Sequence, residues 1–199
     1  MYPHEKLDKI IATLPTQTLT RTCYRVVKYE DFSIKTPPDP LYSLGPGTNG
    51  QRFTPKGGPP ALYISEDYIT AIAESLGVSR TEIVQGGDIK FNPAVTYCIK
   101  AHLECVVDLT LPPVQQALGT SVAELSSSWI MQLANNIICP THVLAEAIYK
   151  NSSICAIRYP AKASNEHANI MIWTDKIYAP NLVEVYDTSK KLCVRIPSS

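Results

Sequence analysis

The stretch from Gly50 to Glu74, GQRFTPKGGPPALYISEDYITAIAE, constrains this chain more tightly than any other. It changes character twice. Gly57, Gly58, Pro59 and Pro60 break regular structure. Ala61 to Ile64 then reads as a short apolar strand. Ser65 is the expected N-cap of a following helix, with Glu66 and Asp67 in its first turn, where carboxylates suit the helix dipole. That helix is expected to run to about Leu76. Arg52 therefore sits on a loop, Tyr63 on a strand and Glu74 on a helix, at two intervals of eleven residues. Three consecutive elements can bring these side chains to one pocket. Such a pocket would suit a polyanion, an aromatic ring and a developing positive charge.

Periodicity alone gives Glu74 a blander role. Tyr68, Ile69, Ile72, Ala73 and Leu76 make the apolar face of the helix, so Glu74 reads as a solvated carboxylate on its outer side. Its neighbours one turn back, Thr70 and Ala71, are small and leave the carboxylate accessible.

The rest of the chain predicts one α+β domain over residues 1–199, with a helical N-terminal extension over 1–20 and a core over 21–187. Glu5 to Leu14 is an amphipathic helix stopped by Pro15. Thr22 to Val27 is a first strand. Residues 33–60 are rich in loop formers, and so long an irregular stretch inside a compact domain points to function. Thr96 to Asp108 alternates, with Tyr97, Ile99, Ala101, Leu103, Cys105 and Val107 on one face; it is a long half-buried strand or a strand pair broken by a bulge. Val122 to Leu125, Trp129 to Asn135 and Thr141 to Tyr149 read as helices. Ile154 to Tyr159, Asn169 to Trp173 and Leu182 to Tyr186 read as strands, and Cys193 to Ile196 as a further one. The sheet is expected to be largely antiparallel. Trp129 and Trp173 are expected in the core, with Trp173 bordering the cleft.

Charge and cysteine content narrow the function classes. Lys plus Arg is 18 and Asp plus Glu is 18, so the chain is formally neutral and gains no general attraction to phosphate polymers. No direct nucleic-acid partner is expected. No apolar run approaches a membrane span, and the N-terminus lacks the apolar centre of a signal peptide, which predicts a cytoplasmic protein. Cys23, Cys98, Cys105, Cys139, Cys155 and Cys193 show no paired short spacing, so free thiols are expected rather than a metal site. Gly45 to Gly50 has the two glycines of a phosphate loop, but Gln51 and Arg52 follow where Lys and Ser/Thr are needed. The four histidines show no metal spacing, and His142 reads as a helix-start residue.

The same residues resemble the signature of the RES domain family. Gly50-Gln51-Arg52-Phe53-Thr54-Pro55, the Gly57-Gly58 pair, Pro60, Leu62-Tyr63 and Ala71-Ile72-Ala73-Glu74 follow its first block. Pro140-Thr141-His142-Val143-Leu144-Ala145-Glu146-Ala147 follows its second, with histidine in place of glutamine. Arg158-Tyr159-Pro160 and Asn169-Ile170-Met171-Ile172-Trp173 follow its third, so the ordered match spans roughly residues 20–185. The resemblance implies an ADP-ribosyltransferase-like fold, with small packed sheets and flanking helices around an NAD cleft.

It also implies roles. Arg52 would grip the pyrophosphate of NAD, as a bidentate guanidinium can. Tyr63 would orient the nicotinamide or a base, and Glu74 would stabilise the oxocarbenium-like sugar as the nicotinamide–ribose bond breaks. Arg25, Ser164 and Asn169 would complete the NAD contacts. One position departs from the pattern: the family's serine after Tyr-Pro is Ala161 here, and Ser164 is the nearest hydroxyl that could substitute. Three function classes follow. The first is an NAD phosphorylase or glycohydrolase, the toxin of a toxin–antitoxin pair or a delivered effector, partnered by an antitoxin or immunity protein. The second is an ADP-ribosyltransferase acting on a protein. The third is a non-catalytic NAD-binding scaffold. NAD is the substrate in the first two, and no metal is expected.

Overall fold

The structure, a computed structural model, describes residues 2, 4–29, 40–41, 50–90, 92–189 and 194–197. Most of the loop-rich segment expected at 33–60, the Gly45 to Gly47 turn and Cys193 lie outside the described residues. The strands are β1 Gln17–Lys28, β2 Ala61–Ser65, β3 Ala94–Asp108, β4 Ala156–Pro160, β5 Ala168–Trp173, β6 Leu182–Val185 and β7 Arg195–Ile196. The helices are α1 His4–Ile11, α2 Tyr68–Leu76, α3 Arg80–Val84, α4 Pro112–Leu118, α5 Val122–Leu125, α6 Trp129–Ala134 and α7 Pro140–Lys150.

All seven strands join in one sheet, in the order β1-β2-β5-β4-β3-β6-β7. An additional β1–β3 pairing closes the first five into a ring. That closure is long, from Gln17 opposite Val106 to Lys28 opposite Ala94. The β1–β2 seam is short, a single pairing of Tyr24 with Ser65. Among the described residues only the β3–β4 pair, Val106 to Asp108 against Ala156 to Arg158, is parallel. The mixed α+β class and the antiparallel bias therefore stand, but a closed five-strand ring with two extra strands replaces a pair of small sheets. The physical cause is β3. It is one unbroken strand of fifteen residues, long enough to pair with β1, β4 and β6 along its length.

The strands β2, β5 and β4 are buried on both faces, and period-2 alternation sorts their side chains between two cores. Leu62, Ile64, Ile170, Ile172 and Ala156 pack with Cys23, Ile99, Ala101 and Leu103 inside the ring. Ala61, Tyr63, Met171, Trp173, Ile157 and Tyr159 face the other way, toward α1, α4, α5 and α7. Leu7 and Ile11 of α1 are fully part of this second core, so the N-terminal helix is stitched into the domain. β1 also begins earlier than expected, at Gln17. At the far end of α7 the Lys176 ammonium bonds the carbonyls of Tyr149, Asn151 and Ile154, placing a cation where the helix dipole is negative.

Candidate functional site

The site is built on the helical face of β2, β5 and β4. Tyr159 stands opposite Asn169 across the β4–β5 ladder, and Tyr63 opposite Met171 across β2–β5. These side chains share one face because their positions along each strand have the same parity. Phe53, 1% exposed, plugs the floor and meets the Tyr159 ring edge-on at 4.6 Å. Its burial contributes about 1.5–3 kcal/mol.

Arg52 rides on a tight turn. Gln51 N–H donates to Thr54 O at 2.7 Å, and Thr54 N–H returns to Gln51 O at 3.2 Å. Gly50 enters this turn at φ 76°, and a Cβ there would lie 3.0 Å from the Thr54 carbonyl oxygen, so only glycine fits. The first turn of α7 grips the same backbone: the Thr141 hydroxyl donates to Arg52 O at 2.5 Å, and His142 Nε2 bonds Gln51 O at 2.8 Å. Because a carbonyl only accepts, that ring nitrogen carries the proton. His142 is therefore a clamp at a helix start. Pro140 to His142, some ninety residues away in sequence, exists in this fold to hold the Arg52 turn.

The Arg52 side chain spends one nitrogen on the protein. Its Nη1 donates to Leu125 O at 2.9 Å and Ser127 O at 2.7 Å. Nε and Nη2 have no hydrogen-bond partner among the described residues, which leaves one edge of the guanidinium for an anion. The Tyr63 hydroxyl accepts from Phe53 N–H at 3.1 Å and pairs with the Thr54 hydroxyl at 2.7 Å. Tyr63 thus fastens the turn that carries Arg52. Burial pushes its phenol well above the ordinary value, and the Thr54 and Phe53 bonds only partly offset this. It is a neutral group throughout the physiological range.

Glu74 faces inward. Two expectations about its helix are corrected here. The N-cap is Asp67, whose carboxylate accepts from Thr70 N–H at 2.8 Å; Ser65 ends β2 instead, and Glu66 is drawn away into ion pairs. The buried face consists of Thr70, Ala71 and Ala73, while Tyr68 is 48% exposed. Small residues face the sheet because α2 packs directly on β1 and β2. Glu74, one turn after buried Thr70, lies on that inner side and is only half-buried. It is not a solvated outer carboxylate. Its Oε1 accepts from Ala163 N–H at 3.0 Å and from Asn169 Nδ2 at 3.1 Å. Its Oε2 has no hydrogen-bond partner among the described residues. The carboxylate is aimed, with one oxygen fixed and one available.

Tyr159 was not among the sequence candidates, although it stood in the quoted motif. It is 4% exposed. Burial, reinforced by the Tyr63 phenol and the Glu74 carboxylate, pushes its own phenol well above the ordinary value. Asn169, opposite Tyr159 in the β4–β5 ladder, reaches Glu74 through Nδ2, and its buried Oδ1 lacks a hydrogen-bond partner among the described residues. The signal for Tyr159 in the sequence was its place in the Arg158-Tyr159-Pro160 motif.

The structure thus brings Arg52, Tyr63, Glu74 and Asn169 together. Arg25, on β1, donates to Pro40 O at 2.8 Å. The Ser164 hydroxyl accepts from Glu166 N–H at 3.2 Å within its own loop. That loop reaches Glu74 through the backbone of Ala163, whose carbonyl is held in turn by Arg80 N–H at 2.8 Å. Ala161 is buried, 5% exposed, with its N–H on His167 O.

A separate hollow of about 320 Å³ lies beyond, lined by Gln17 to Arg21, Glu66, Asp108 and Arg158. Its charges satisfy one another. Arg158 forks onto Glu66 at 2.8 and 3.0 Å, reaches Asp108 at 2.9 Å, and Glu66 also takes Arg21 at 3.1 Å. The Glu66 bonds, ahead of the opposing burial, hold the Arg158 guanidinium charged. This network ties β4 to the chain entering α2, the two elements that carry Tyr159 and Glu74.

Cys23, Cys98, Cys105, Cys139 and Cys155 are free, and no group of residues suited to a metal occurs among the described residues. No helix among them is long and apolar enough to cross a membrane. Trp173 is in the core, 1% exposed, but Trp129 is not: α6 contributes no buried residue, and Trp129 instead leans on the His142 ring at 6.4 Å.

No curated protein matches this chain. Among solved structures, a chain of the M. tuberculosis MbcT–MbcA toxin–antitoxin complex shares the fold with a TM-score of 0.60 and 15% identity, over 92% of this chain and 90% of that one. The RES domain family matches residues 22–190, from within β1 to beyond β6, and takes in the Arg52 turn, the α2 carboxylate and the α7 clamp alike. This chain belongs to the RES domain family.

Proposed function

We propose that this protein is an NAD-consuming toxin of a toxin–antitoxin pair, cleaving the nicotinamide–ribose bond of NAD⁺ in the cytoplasm. The observation that carries the reading is Glu74, a carboxylate oriented through Oε1 by Ala163 and Asn169 and left open at Oε2. As the C–N bond breaks, nicotinamide leaves with the bonding pair and C1′ of the ribose becomes cationic. A fixed carboxylate beside that carbon stabilises it without reorganising. Water or phosphate then forms the new bond at C1′ and loses a proton. Family membership and the fold shared with a chain of a toxin–antitoxin complex support the assignment.

The remaining residues take roles consistent with their geometry. The open edge of Arg52 receives the pyrophosphate, and Tyr63 holds the Arg52 turn while its ring walls the site. Asn169 holds Glu74 beside the NAD ribose through its Nδ2. The space between the open edge of Arg52 and Glu74 Oε2 is then the NAD cleft of an ADP-ribosyltransferase-like fold, and the antitoxin silences the enzyme by covering it.

The test is nicotinamide release from NAD by the purified protein, with and without phosphate, beside Glu74→Gln. Release that needs phosphate identifies a phosphorylase, and release without it a glycohydrolase. No release under either condition, or full release by Glu74→Gln, refutes the proposal.

A further inference from the structure

The β3–β4 seam is short for what hangs on it. It pairs Val106 to Asp108 with Ala156 to Arg158. Between those strands the chain makes α4, α5, α6 and α7, and that stretch supplies every bond that holds the Arg52 turn from outside: Leu125 O, Ser127 O, Thr141 and His142. One residue ahead of the ladder, each side of the seam carries a cysteine, Cys105 and Cys155.

The two cysteines are in register. Val106 stands opposite Ala156, so Cys105 stands opposite Cys155, and Cys155 N–H donates to Cys105 O at 3.1 Å. Neighbouring strands lie about 4.8 Å apart, inside the Cα separation of about 4.4–6.8 Å that a disulfide spans. They also share a side. Cys155 is a buried member of the core inside the ring, and Cys105 packs against that same core. The Cys155 thiol donates to Cys105 O at 3.5 Å. Cys23 and Cys98 give the contrast. They too lie on paired strands, but Cys23 stands opposite Ile99 and Cys98 opposite Tyr24, so their side chains take opposite faces.

We propose that Cys105 and Cys155 are a redox pair that a hydroperoxide closes into a disulfide, stapling β3 to β4. Cys105 is half-buried and reacts first; Cys155 is 3% exposed. The Cys105 thiolate attacks hydrogen peroxide. An S–O bond forms, the O–O bond breaks, and hydroxide leaves and is protonated to water, giving a sulfenic acid. The Cys155 sulfur then attacks the Cys105 sulfur. The S–S bond forms, the S–O bond breaks, and a second water carries off the thiol proton. The two thiols lose two electrons and the peroxide gains them. Burial pushes the Cys155 thiol up to about 11, which makes it a poor first nucleophile and suits it to a sulfur delivered beside it. The cysteines are fifty residues apart in sequence, so the bridge closes α4 to α7 into one covalent loop. A small thiol reopens it by exchange. The reading does not depend on NAD chemistry.

Intact-mass and peptide-mapping spectrometry of the full chain tests it, after reduction, exposure to hydrogen peroxide and alkylation in denaturant. The wild type is expected to lose two hydrogens and to yield a linked Cys105–Cys155 peptide pair. Its melting temperature should rise by at least about 4 °C over the reduced form, and a phosphine reductant should reverse both changes. Cys105→Ser should match the reduced wild type in circular dichroism and melting temperature, and should show neither the bridge nor the rise. Cys98→Ser, the control, should keep both. Peroxide that leaves the mass unchanged, or adds oxygen without removing two hydrogens, overturns the proposal. So does a bridge that maps to other cysteines, an oxidised form that melts no higher, or a rise that survives in Cys105→Ser.

Discussion

Replacing Tyr63 with phenylalanine separates two roles that a tyrosine in such a site can play. The substitution keeps the ring and removes one oxygen. In the wild type that oxygen accepts from Phe53 N–H at 3.1 Å and pairs with the Thr54 hydroxyl at 2.7 Å. Phe53 is 1% exposed, so no water replaces the lost acceptor, and a buried N–H left unpaired costs about 1–3 kcal/mol. For a chain of this length that is roughly 2–12 °C in melting temperature. The loosened turn carries Arg52, so NAD binding should weaken. A misplacement of about 1 Å in a positioning group costs on the order of a hundredfold in kcat/KM, and a smaller shift proportionately less. The expected result for Tyr63→Phe is a lower melting temperature together with a kcat/KM loss of about tenfold to a hundredfold, carried mainly in KM. Differential scanning fluorimetry and a nicotinamide-release assay measure the two. An unchanged melting temperature with a collapsed kcat would refute the reasoning, because the hydroxyl would then be acting on substrate rather than on the turn.

The remaining predictions probe the same frame. Glu74→Gln preserves an acceptor for Ala163 and Asn169 while removing the charge, so it should fold normally and lose about 10²–10³ in kcat, read by nicotinamide release. Thr141→Val deletes the hydroxyl that holds Arg52 O and should destabilise the fold by about 1–2 kcal/mol in urea titration, with a rise in the KM for NAD. Gly50→Ala forces a side chain into a left-handed position 3.0 Å from a carbonyl oxygen; it should cost at least about 1–2 kcal/mol and lower the yield of folded protein. Burial of the Asp67 carboxyl acts to raise its pKa, but the Thr70 N–H and hydroxyl and the Arg80 guanidinium outweigh it and hold it low. Its contribution is therefore whole above the ordinary carboxylate value of about 4 and fades as pH falls through the lower folded value. Melting curves between neutral pH and pH 2.5 should show Asp67→Asn losing less stability on acidification than the wild type.

What the sequence made legible and what it hid have a common cause. Elements with strong local signals were readable: β3 from its alternation, α7 from Pro140 onward, and the loop–strand–helix run through Glu74. Their order also gave the mixed class. Ring closure was not readable, because it depends on which edge of β1 meets β3, and alternation is silent on pairing partners. The N-cap was misassigned to Ser65 because Ser65 and Asp67 are both good caps, and what decides between them is long-range: Glu66 is pulled toward Arg158, ninety-two residues away, and this leaves Asp67 at the helix start. The apolar face of α2 was misread for a similar reason. Close approach to the sheet selects small residues over large ones, so Thr70, Ala71 and Ala73 face inward where hydrophobicity alone favoured Tyr68.

The departure at Ala161 can be weighed on the same terms. A serine hydroxyl after Tyr-Pro would offer one donor near the carboxylate, and its absence in this chain invites the inference of a decayed site. The geometry argues otherwise. Ala161 is buried against the core, and two residues later the same loop delivers Ala163 N–H to Glu74 at 3.0 Å. The donor that this loop supplies, beside the Asn169 amide from β5, is thus main-chain, and its position is set by the Arg80 bond on the other side of the same residue. A backbone N–H survives every side-chain substitution except proline. The orientation of Glu74 therefore depends on how well the 161–167 loop is anchored, and only weakly on whether a serine stands in it. A variant that perturbs that anchor, such as Ala163→Pro, should impair nicotinamide release far more than Ser164→Ala, whose hydroxyl serves only its own turn. Equal losses from the two substitutions would restore the hydroxyl to a direct role and reopen the case for a weakened site.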